Sequence, residues 1–333
     1  MVNIKDYWVN GTKRELKFID LFSGCGGVSQ GYVDCGFKPI ASVDFLHSAC
    51  ETHRRNIPQC DVVEGDITLD ETKQRLYDVV KEKLGDDELD VIHASPPCQG
   101  FSQAGKRMID DPRNRLYKEA VEIMSVLKPR WITMENVPGM VSMKDGDVVR
   151  QIEEDLTNIG YKVRWMILNS ADYYSPQTRK RWILIGNRVD KEIDFPEPML
   201  KVEEYITMEQ AIGDLIDHPV DAAFNHVPQR HSKEFADRLA AVEEGKSLYG
   251  GEAYPKTPWN KPANTIKQNH GSANIHPRLP RVITVREMAR LQDFPDTFIF
   301  EGSKSDQMLQ IGNAVPCKLA RAIGLTIMKL DEQ

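Results

Sequence analysis

The stretch Ser95-Pro96-Pro97-Cys98-Gln99-Gly100-Phe101-Ser102 places a cysteine directly behind two prolines. The prolines stiffen the chain and restrict where the next side chain points. A lone cysteine is more often a small buried hydrophobe. The glutamine, glycine and serine that follow Cys98 read instead as a polar loop, and reactive groups are commonly mounted on such loops. The chemistry would be nucleophilic, a thiolate attacking an electron-poor centre, with neighbours that promote ionisation of a group whose ordinary pKa is about 8.5. Met134-Glu135-Asn136-Val137-Pro138 ends a later apolar run and brings an acid to the same edge. In Gln177-Thr178-Arg179-Lys180-Arg181 the two arginines alternate, so on an extended chain they share one side, and both are candidates to lower the thiol pKa. Read blandly, this is a solvated basic run.

A second constellation points to a nucleoside. Asp20-Leu21-Phe22-Ser23-Gly24-Cys25-Gly26-Gly27 is a glycine-rich turn between an apolar run and a helical stretch, and glycines there let backbone approach a ligand. Asp44 ends the second apolar run twenty residues after Gly24, where an acid in such folds accepts hydrogen bonds from ribose hydroxyls. Phe45 is placed to stack on adenine, Asp66 to accept from its exocyclic amine, and Ile67 to form an aliphatic wall. The turn lacks the GxxxxGK[ST] pattern of triphosphate binding, so an adenosyl cofactor without a triphosphate fits better.

These groups need a scaffold that brings strand ends together. Short apolar runs at 17–21, 39–43, 61–63, 91–94, 131–135, 163–169 and 182–185 alternate with helical stretches, the pattern of a doubly wound α/β fold with a mostly parallel sheet. Helical periodicity is clear at 114–127 and 146–159. Between 187 and 282 prolines cluster and strong strands are few, which predicts a second, smaller, loop-rich domain. Periodicity returns at 284–292, with Thr284 and Glu287 at capping-box spacing, and in a last helix over roughly 314–330. The expected division is 1–186 plus 283–333 against 187–282.

The 333 residues are 41% hydrophobic and 28% charged, ordinary for a folded chain. No stretch approaches the roughly 20 apolar residues of a membrane span, and the N-terminus lacks a secretory signal, so a cytoplasmic protein is expected. Six cysteines form no CxxC pair, so neither disulfides nor a metal are expected. The net charge of −7 argues mildly against nucleic acid, but basic clusters at 105–107, 113–115, 179–181 and 256–267 could give an acidic body a positive face. His226, His231, His270 and His276 read as surface or DNA contacts in preference to metal ligands.

Taken in order, Phe22 to Gly27, Pro96-Pro97-Cys98-Gln99, Glu135-Asn136-Val137, Gln177 to Arg181, Arg286-Glu287-Met288-Ala289-Arg290-Leu291-Gln292 with Phe294-Pro295, and Gln310-Ile311-Gly312-Asn313-Ala314-Val315-Pro316 resemble the blocks of the DNA (cytosine-5) methyltransferases of prokaryotic restriction-modification systems. The likeness spans nearly the whole chain, and six blocks in the family's order are highly specific. It implies the S-adenosylmethionine-dependent methyltransferase fold, with 187–282 as target-recognition domain. It implies methyl transfer from S-adenosylmethionine to carbon 5 of cytosine in double-stranded DNA, by base flipping and a covalent Cys98 intermediate, yielding S-adenosylhomocysteine without a metal. Cys98 then resembles the family nucleophile, Glu135 the acid at N3 and the exocyclic amine, and Arg181 with Arg179 the basic group beside the base. Phe22, Ser23, Gly24, Cys25, Gly26, Asp44, Phe45, Asp66, Ile67, Pro96, Leu116 and Asn313 match the cofactor pocket. Gln99, Ser102, Arg113, Arg230 and Thr265 are the expected DNA contacts, the last in Ala263-Asn264-Thr265-Ile266, with base contacts from loops near 230–254 and 269–278. A monomer is expected, with a cognate restriction endonuclease as candidate companion acting separately.

Two neighbouring chemistries and one non-catalytic reading compete. An amino-group methyltransferase places an aromatic residue where Cys98 stands. A transfer-RNA methyltransferase of the same fold would use the same cysteine and acid but lacks a substantial variable segment, here roughly ninety residues. A catalytically dead binding module is opposed by the intact Cys98, Glu135 and Arg181.

Overall fold

Runs of branched and aromatic residues that are apolar at successive positions suit strands covered on both faces, and they form the central sheet. The computed structural model describes residues 1–10, 15–97, 116–251, 253–267 and 274–333. In chain order the elements are α1 (Lys5–Asn10), β1 (Lys17–Leu21), α2 (Gly27–Val33), β2 (Lys38–Asp44), α3 (His47–Asn56), β3 (Asp61–Glu64), α4 (Asp70–Leu84), β4 (Val91–Ala94), α5 (Leu116–Leu127), β5 (Trp131–Asn136), α6 (Asp147–Asn158), β6 (Lys162–Asn169), β7 (Gln177–Thr178) and β8 (Lys180–Asn187). There follow α7 (Met208–Ile212), α8 (Lys233–Ala241), β9 (Ala263–Asn264), α9 (Val285–Leu291), α10 (Lys304–Asn313) and α11 (Cys317–Glu332).

The main sheet has seven strands in the order β3-β2-β1-β4-β5-β8-β6. Neighbours from β3 to β5 pair in parallel, whereas β8 is antiparallel to both β5 and β6. The sheet is thus mostly parallel, as expected, with its antiparallel pairings confined to β8. Only residues 170–179 join β6 to β8, and a parallel return needs a crossover of roughly a dozen residues or more.

Alternation along the strands divides the interior. Phe18, Val91, Trp131 and Ile185 face one core with Tyr32 of α2 and Leu319 and Ile323 of α11. Ile19, Ile92, Ile132 and Leu184 face the other, with Leu76, Ile123 and Ile152 of α4, α5 and α6. A third core joins Met208, Ile212, Trp259 and Ile266 to Val285, Met288, Phe294 and Ile311, so the interior of the proline-rich segment continues into 283–317. The small β7–β9 sheet lies outside the seven-stranded one.

The expected helix at 284–292 is α9, with Thr284 accepting from the Glu287 N–H and the Glu287 side chain returning to the Thr284 N–H. The expected helix over 314–330 is α11, which begins at Cys317 behind the turn Ala314-Val315-Pro316, and α10 ahead of that turn is a further helix. Pro316 carries no amide hydrogen and disfavours helical geometry before it, and Ala314 is extended.

α2 packs against the start of α11 with backbones nearly touching. A β-carbon on Gly31 would lie 2.3 Å from the Cys317 carbonyl oxygen. Gly31→Ala therefore forces these helices apart and should cost about 2–3 kcal/mol of stability, read as a lowered midpoint in urea denaturation. An unchanged midpoint would mean that the helices separate freely.

Candidate active site

Parallel strands deliver their C-terminal ends to one edge, where ligands of open α/β sheets bind. β4 leaves the sheet at Ser95, whose N–H donates to the Leu21 carbonyl at 3.2 Å. Pro96 is buried, and its carbonyl oxygen accepts from Asn136 Nδ2 at 3.2 Å. The exits of β4 and β5 are thereby tied together. Cys98, Gln99, Ser102 and Arg113 lie outside the described residues.

Glu135 is the penultimate residue of β5. Its Oε1 lies 2.7 Å from Arg181 Nε, with side-chain exposures of 11% and 10%, so the pair is almost wholly removed from water. Arg181 Nη1 also donates to the Lys180 carbonyl oxygen at 2.7 Å. Burial lowers the Arg181 pKa, and the charge and hydrogen bond of Glu135 oppose that shift. Arg179 is buried and has no carboxylate bond among the described residues: Nη1 donates to the Ile266 carbonyl oxygen at 2.9 Å and Nη2 to that of Gly312 at 3.0 Å. Burial, then Arg181, push the Arg179 pKa well down, while Glu135 pulls it up. A guanidinium holds its proton strongly, so the three groups form a buried cluster of one acid and two bases. Pro96, Pro97, Glu135, Asn136, Tyr117 and Trp182 line a crevice at this edge.

The basic strand is held from several sides. Gln177 Nε2 donates to the Leu291 carbonyl and to Gln292 Oε1, both at 2.6 Å, and its Oε1 accepts from the Ile266 N–H at 3.1 Å. Thr265 Oγ1 donates to the Thr178 carbonyl at 2.9 Å. Thr265 therefore anchors β7 through its hydroxyl. Gln177 and Asn136 stood inside quoted motifs without an assigned role, because the hydrogen bonds that give them one join residues far apart in sequence.

At the neighbouring strand ends, Gly24 N–H donates to Asp44 Oδ2 at 2.8 Å and Leu46 N–H to Asp44 Oδ1 at 2.9 Å. Burial raises the Asp44 pKa, and these bonds pull it back. Gly24 adopts φ +53°, with no atom within 4 Å of where a β-carbon would stand, so the turn opens onto free space. Phe22 also has positive φ, 58°, and Phe45 is 70% exposed. The Ser23 N–H donates to the Val43 carbonyl, and the Gly26 N–H to that of Ser23, both at 3.0 Å. Asp66 Oδ1 accepts from the Thr68 N–H and hydroxyl, and Ile67 is buried. Leu116 opens α5 half-buried, and exposed Asn313 closes α10. Cys25 is buried, its thiol 3.7 Å from the Gln310 carbonyl, and burial raises its pKa. An open backbone cradle flanked by a carboxylate and an exposed ring fits a nucleoside.

Residues 16–329 match the C-5 cytosine-specific DNA methylase family. The chain belongs to this family. It is 36% identical to Type II methyltransferase M1.HphI of Haemophilus parahaemolyticus, over 95% of this chain and 87% of that one. It is 33% identical to Type II methyltransferase M.DdeI of Desulfomicrobium norvegicum, over 92% and 87%. Among solved structures, a prophage-encoded E. coli protein described as a DNA modification methyltransferase superposes with a TM-score of 0.79 at 26% identity, over 96% of this chain and 100% of that one. The protein is thus a DNA (cytosine-5) methyltransferase of the prokaryotic restriction-modification type, which removes the amino-group alternative.

Two expectations about the methyltransferase are corrected. His226 and His276 are buried, not surface DNA contacts. His226 Nδ1 lies 3.0 Å from Thr284 Oγ1 at the start of α9, and His276 Nδ1 accepts from the Arg278 and Leu279 N–H groups at 3.1 Å while its Nε2 lies 3.7 Å from Glu287 Oε1 of α9. Burial lowers the His276 pKa to about 4. Lys256 is likewise buried, donating to the Ala240 carbonyl oxygen at 3.3 Å, and adds little to a positive face. Arg230 is exposed. His270 lies outside the described residues. On the surface, His47, Glu51 and Glu64 bring three oxygen or nitrogen atoms within 4.8 Å, but Arg54 already pairs with both carboxylates. Among the described residues no helix is long and apolar enough to cross a membrane.

Proposed function

We propose that the methyltransferase takes its methyl group from S-adenosylmethionine, rotates the target cytosine out of the duplex, and activates it through Cys98. The supporting observation is the buried Glu135–Arg181 pair at the strand end beside the Pro96-Pro97 exit that leads to Cys98. Chemistry on a ring carbon cannot proceed inside the stack, hence the flipped base. Phe22 to Gly26, Asp44, Phe45, Asp66, Ile67, Pro96, Leu116 and Asn313 would hold S-adenosylmethionine, which supplies an electrophilic methyl group on a sulfonium centre.

Carbon 5 of cytosine is a poor nucleophile. The Cys98 thiolate adds to carbon 6, forming a C–S bond and leaving carbon 5 enamine-like. Glu135 hydrogen-bonds at N3 and the exocyclic amine, where charge develops, and Arg181 holds the carboxylate in place. Carbon 5 takes the methyl group as the bond from that methyl to the sulfonium sulfur breaks and S-adenosylhomocysteine leaves; the carbon 5 proton then passes to solvent and the Cys98–carbon 6 bond breaks to return the thiolate. Residues 187–282 serve as target-recognition domain, with Arg230, Thr265, Gln99, Ser102 and Arg113 toward DNA. The protein works as a cytoplasmic monomer, with any restriction endonuclease acting separately.

Incubation with labelled S-adenosylmethionine and unmethylated genomic DNA, followed by nucleoside mass spectrometry, tests the donor and position together. Label in 5-methylcytosine is expected; label in N4-methylcytosine or N6-methyladenine overturns the mechanism. Asp44→Ala should weaken S-adenosylmethionine binding by roughly 10- to 100-fold in calorimetry, the loss of a charged hydrogen-bond acceptor, without changing DNA affinity. Unaltered cofactor affinity would move the ribose site elsewhere.

A further inference from the structure

A buried polar chain outside this machinery runs from α2 to the exit of β4. Tyr32 Oη lies 2.9 Å from Thr133 Oγ1, Thr133 Oγ1 lies 2.8 Å from His93 Nδ1, and His93 Nε2 lies 2.7 Å from Ser95 Oγ. Tyr32, His93 and Thr133 are buried and Ser95 is half-buried. The blind end sets the direction of the chain. Among the described residues Thr133 is the one partner of the Tyr32 hydroxyl, and a buried O–H that donates to nothing carries a desolvation penalty. Tyr32 therefore donates to Thr133, Thr133 donates to Nδ1, and the imidazole proton sits on Nε2 and donates to Ser95. Burial holds the His93 pKa down to about 3, so the ring is neutral and the polarity of the chain persists at neutral pH.

The placement matters for catalysis. His93 and Thr133 are cross-strand partners of β4 and β5. Ser95 immediately precedes Pro96-Pro97-Cys98, and Glu135 stands two residues beyond Thr133, on the same side of β5. We propose that Tyr32, Thr133, His93 and Ser95 are positioning residues that fix the strand exit carrying Cys98 against the strand end carrying Glu135, with His93 acting through Ser95. The inference rests on the reading of Cys98 as nucleophile. Small displacements of reacting groups are costly, on the order of 100-fold for 1 Å, so the chain is felt in kcat.

The experiment compares Ser95→Ala, His93→Phe, His93→Gln and the Ser95→Ala/His93→Phe double variant in single-turnover methylation, alongside Cys98→Ser. Ser95→Ala and His93→Phe should each lose roughly 10- to 100-fold in kcat, with KM for DNA and cofactor unchanged. The double variant should be no worse than either single one, as expected for residues acting as a unit. His93→Gln, whose amide can still donate to Ser95, should recover to within about threefold of the parent. Ser95→Ala with full kcat, or single losses that multiply in the double variant, overturns the proposal while Cys98→Ser remains inactive. If Cys98→Ser itself turns over, the underlying reading fails and the proposal falls with it.

Discussion

Replacing Cys98 by serine should bring methylation to below about one-thousandth of the parent rate while S-adenosylmethionine still binds with its original affinity. The asymmetry follows from the division of labour between strand ends. Most of the proposed cofactor cradle lies at the ends of β1, β2 and β3, and the side-chain hydrogen bonds of Asp44 and Asp66 there do not reach Pro96, the proposed pocket residue at the β4 exit. A serine hydroxyl is far harder to ionise than a thiol, so the proposed covalent step at carbon 6 would lose its nucleophile. No other described cysteine can replace it. Cys25, Cys35, Cys50, Cys60 and Cys317 are buried, and burial pushes their thiols up, Cys50 and Cys60 to about 12. Rapid-quench turnover and calorimetric cofactor binding check the two halves. Activity retained within tenfold would place the nucleophile elsewhere; lost cofactor binding would make Cys98 a structural residue.

Why the strands and their mostly parallel order were legible and the one reversed strand was not is a matter of range. β1 and β4 coincide with the apolar runs 17–21 and 91–94, because a strand covered on both faces leaves a continuous hydrophobic signal. The capping box of α9 was equally local, three residues wide. Direction is set by connection length and pairing, so the reversal of β8 had no marker in its own residues. The start of α11 was read at Ala314, because the helical periodicity behind Pro316 is stronger than the signal of the proline that sets its first turn. Residue types at the strand ends pointed to an acid, a basic pair and a glycine turn, whereas the Glu135–Arg181 contact and the Arg179 bonds to Ile266 and Gly312 join residues 46, 87 and 133 positions apart and needed the tertiary fold. The histidines failed for the same reason. His226 and His276 carry no sign of burial in their neighbours, and only packing against α9 turns them from plausible DNA contacts into core residues.

Glu135→Gln should lower kcat by about 100- to 1,000-fold, the scale seen when one preorganised group at a developing charge is removed. It should also destabilise the fold, and the two effects can be separated. The amide oxygen of glutamine can still accept from Arg181 Nε, so the shape of the pair survives while its negative charge does not. Two guanidinium groups then remain in the buried cluster, and among the described residues Arg179 has only carbonyl oxygens as hydrogen-bond partners. Breaking a buried pair from one side typically costs about 3–5 kcal/mol, most of it the penalty on the charge left behind. Arg181→Met alone strands Glu135 in the same way. The double variant Glu135→Gln/Arg181→Met leaves neither of these two charges, so its loss in urea denaturation should be smaller than the sum of the single losses, by about 1–3 kcal/mol. Its kcat should stay as low as that of Glu135→Gln, because restored packing does not return the acid proposed to hydrogen-bond the cytosine ring. A double variant that recovered activity along with stability would show that Glu135 serves the fold and that another group meets the base.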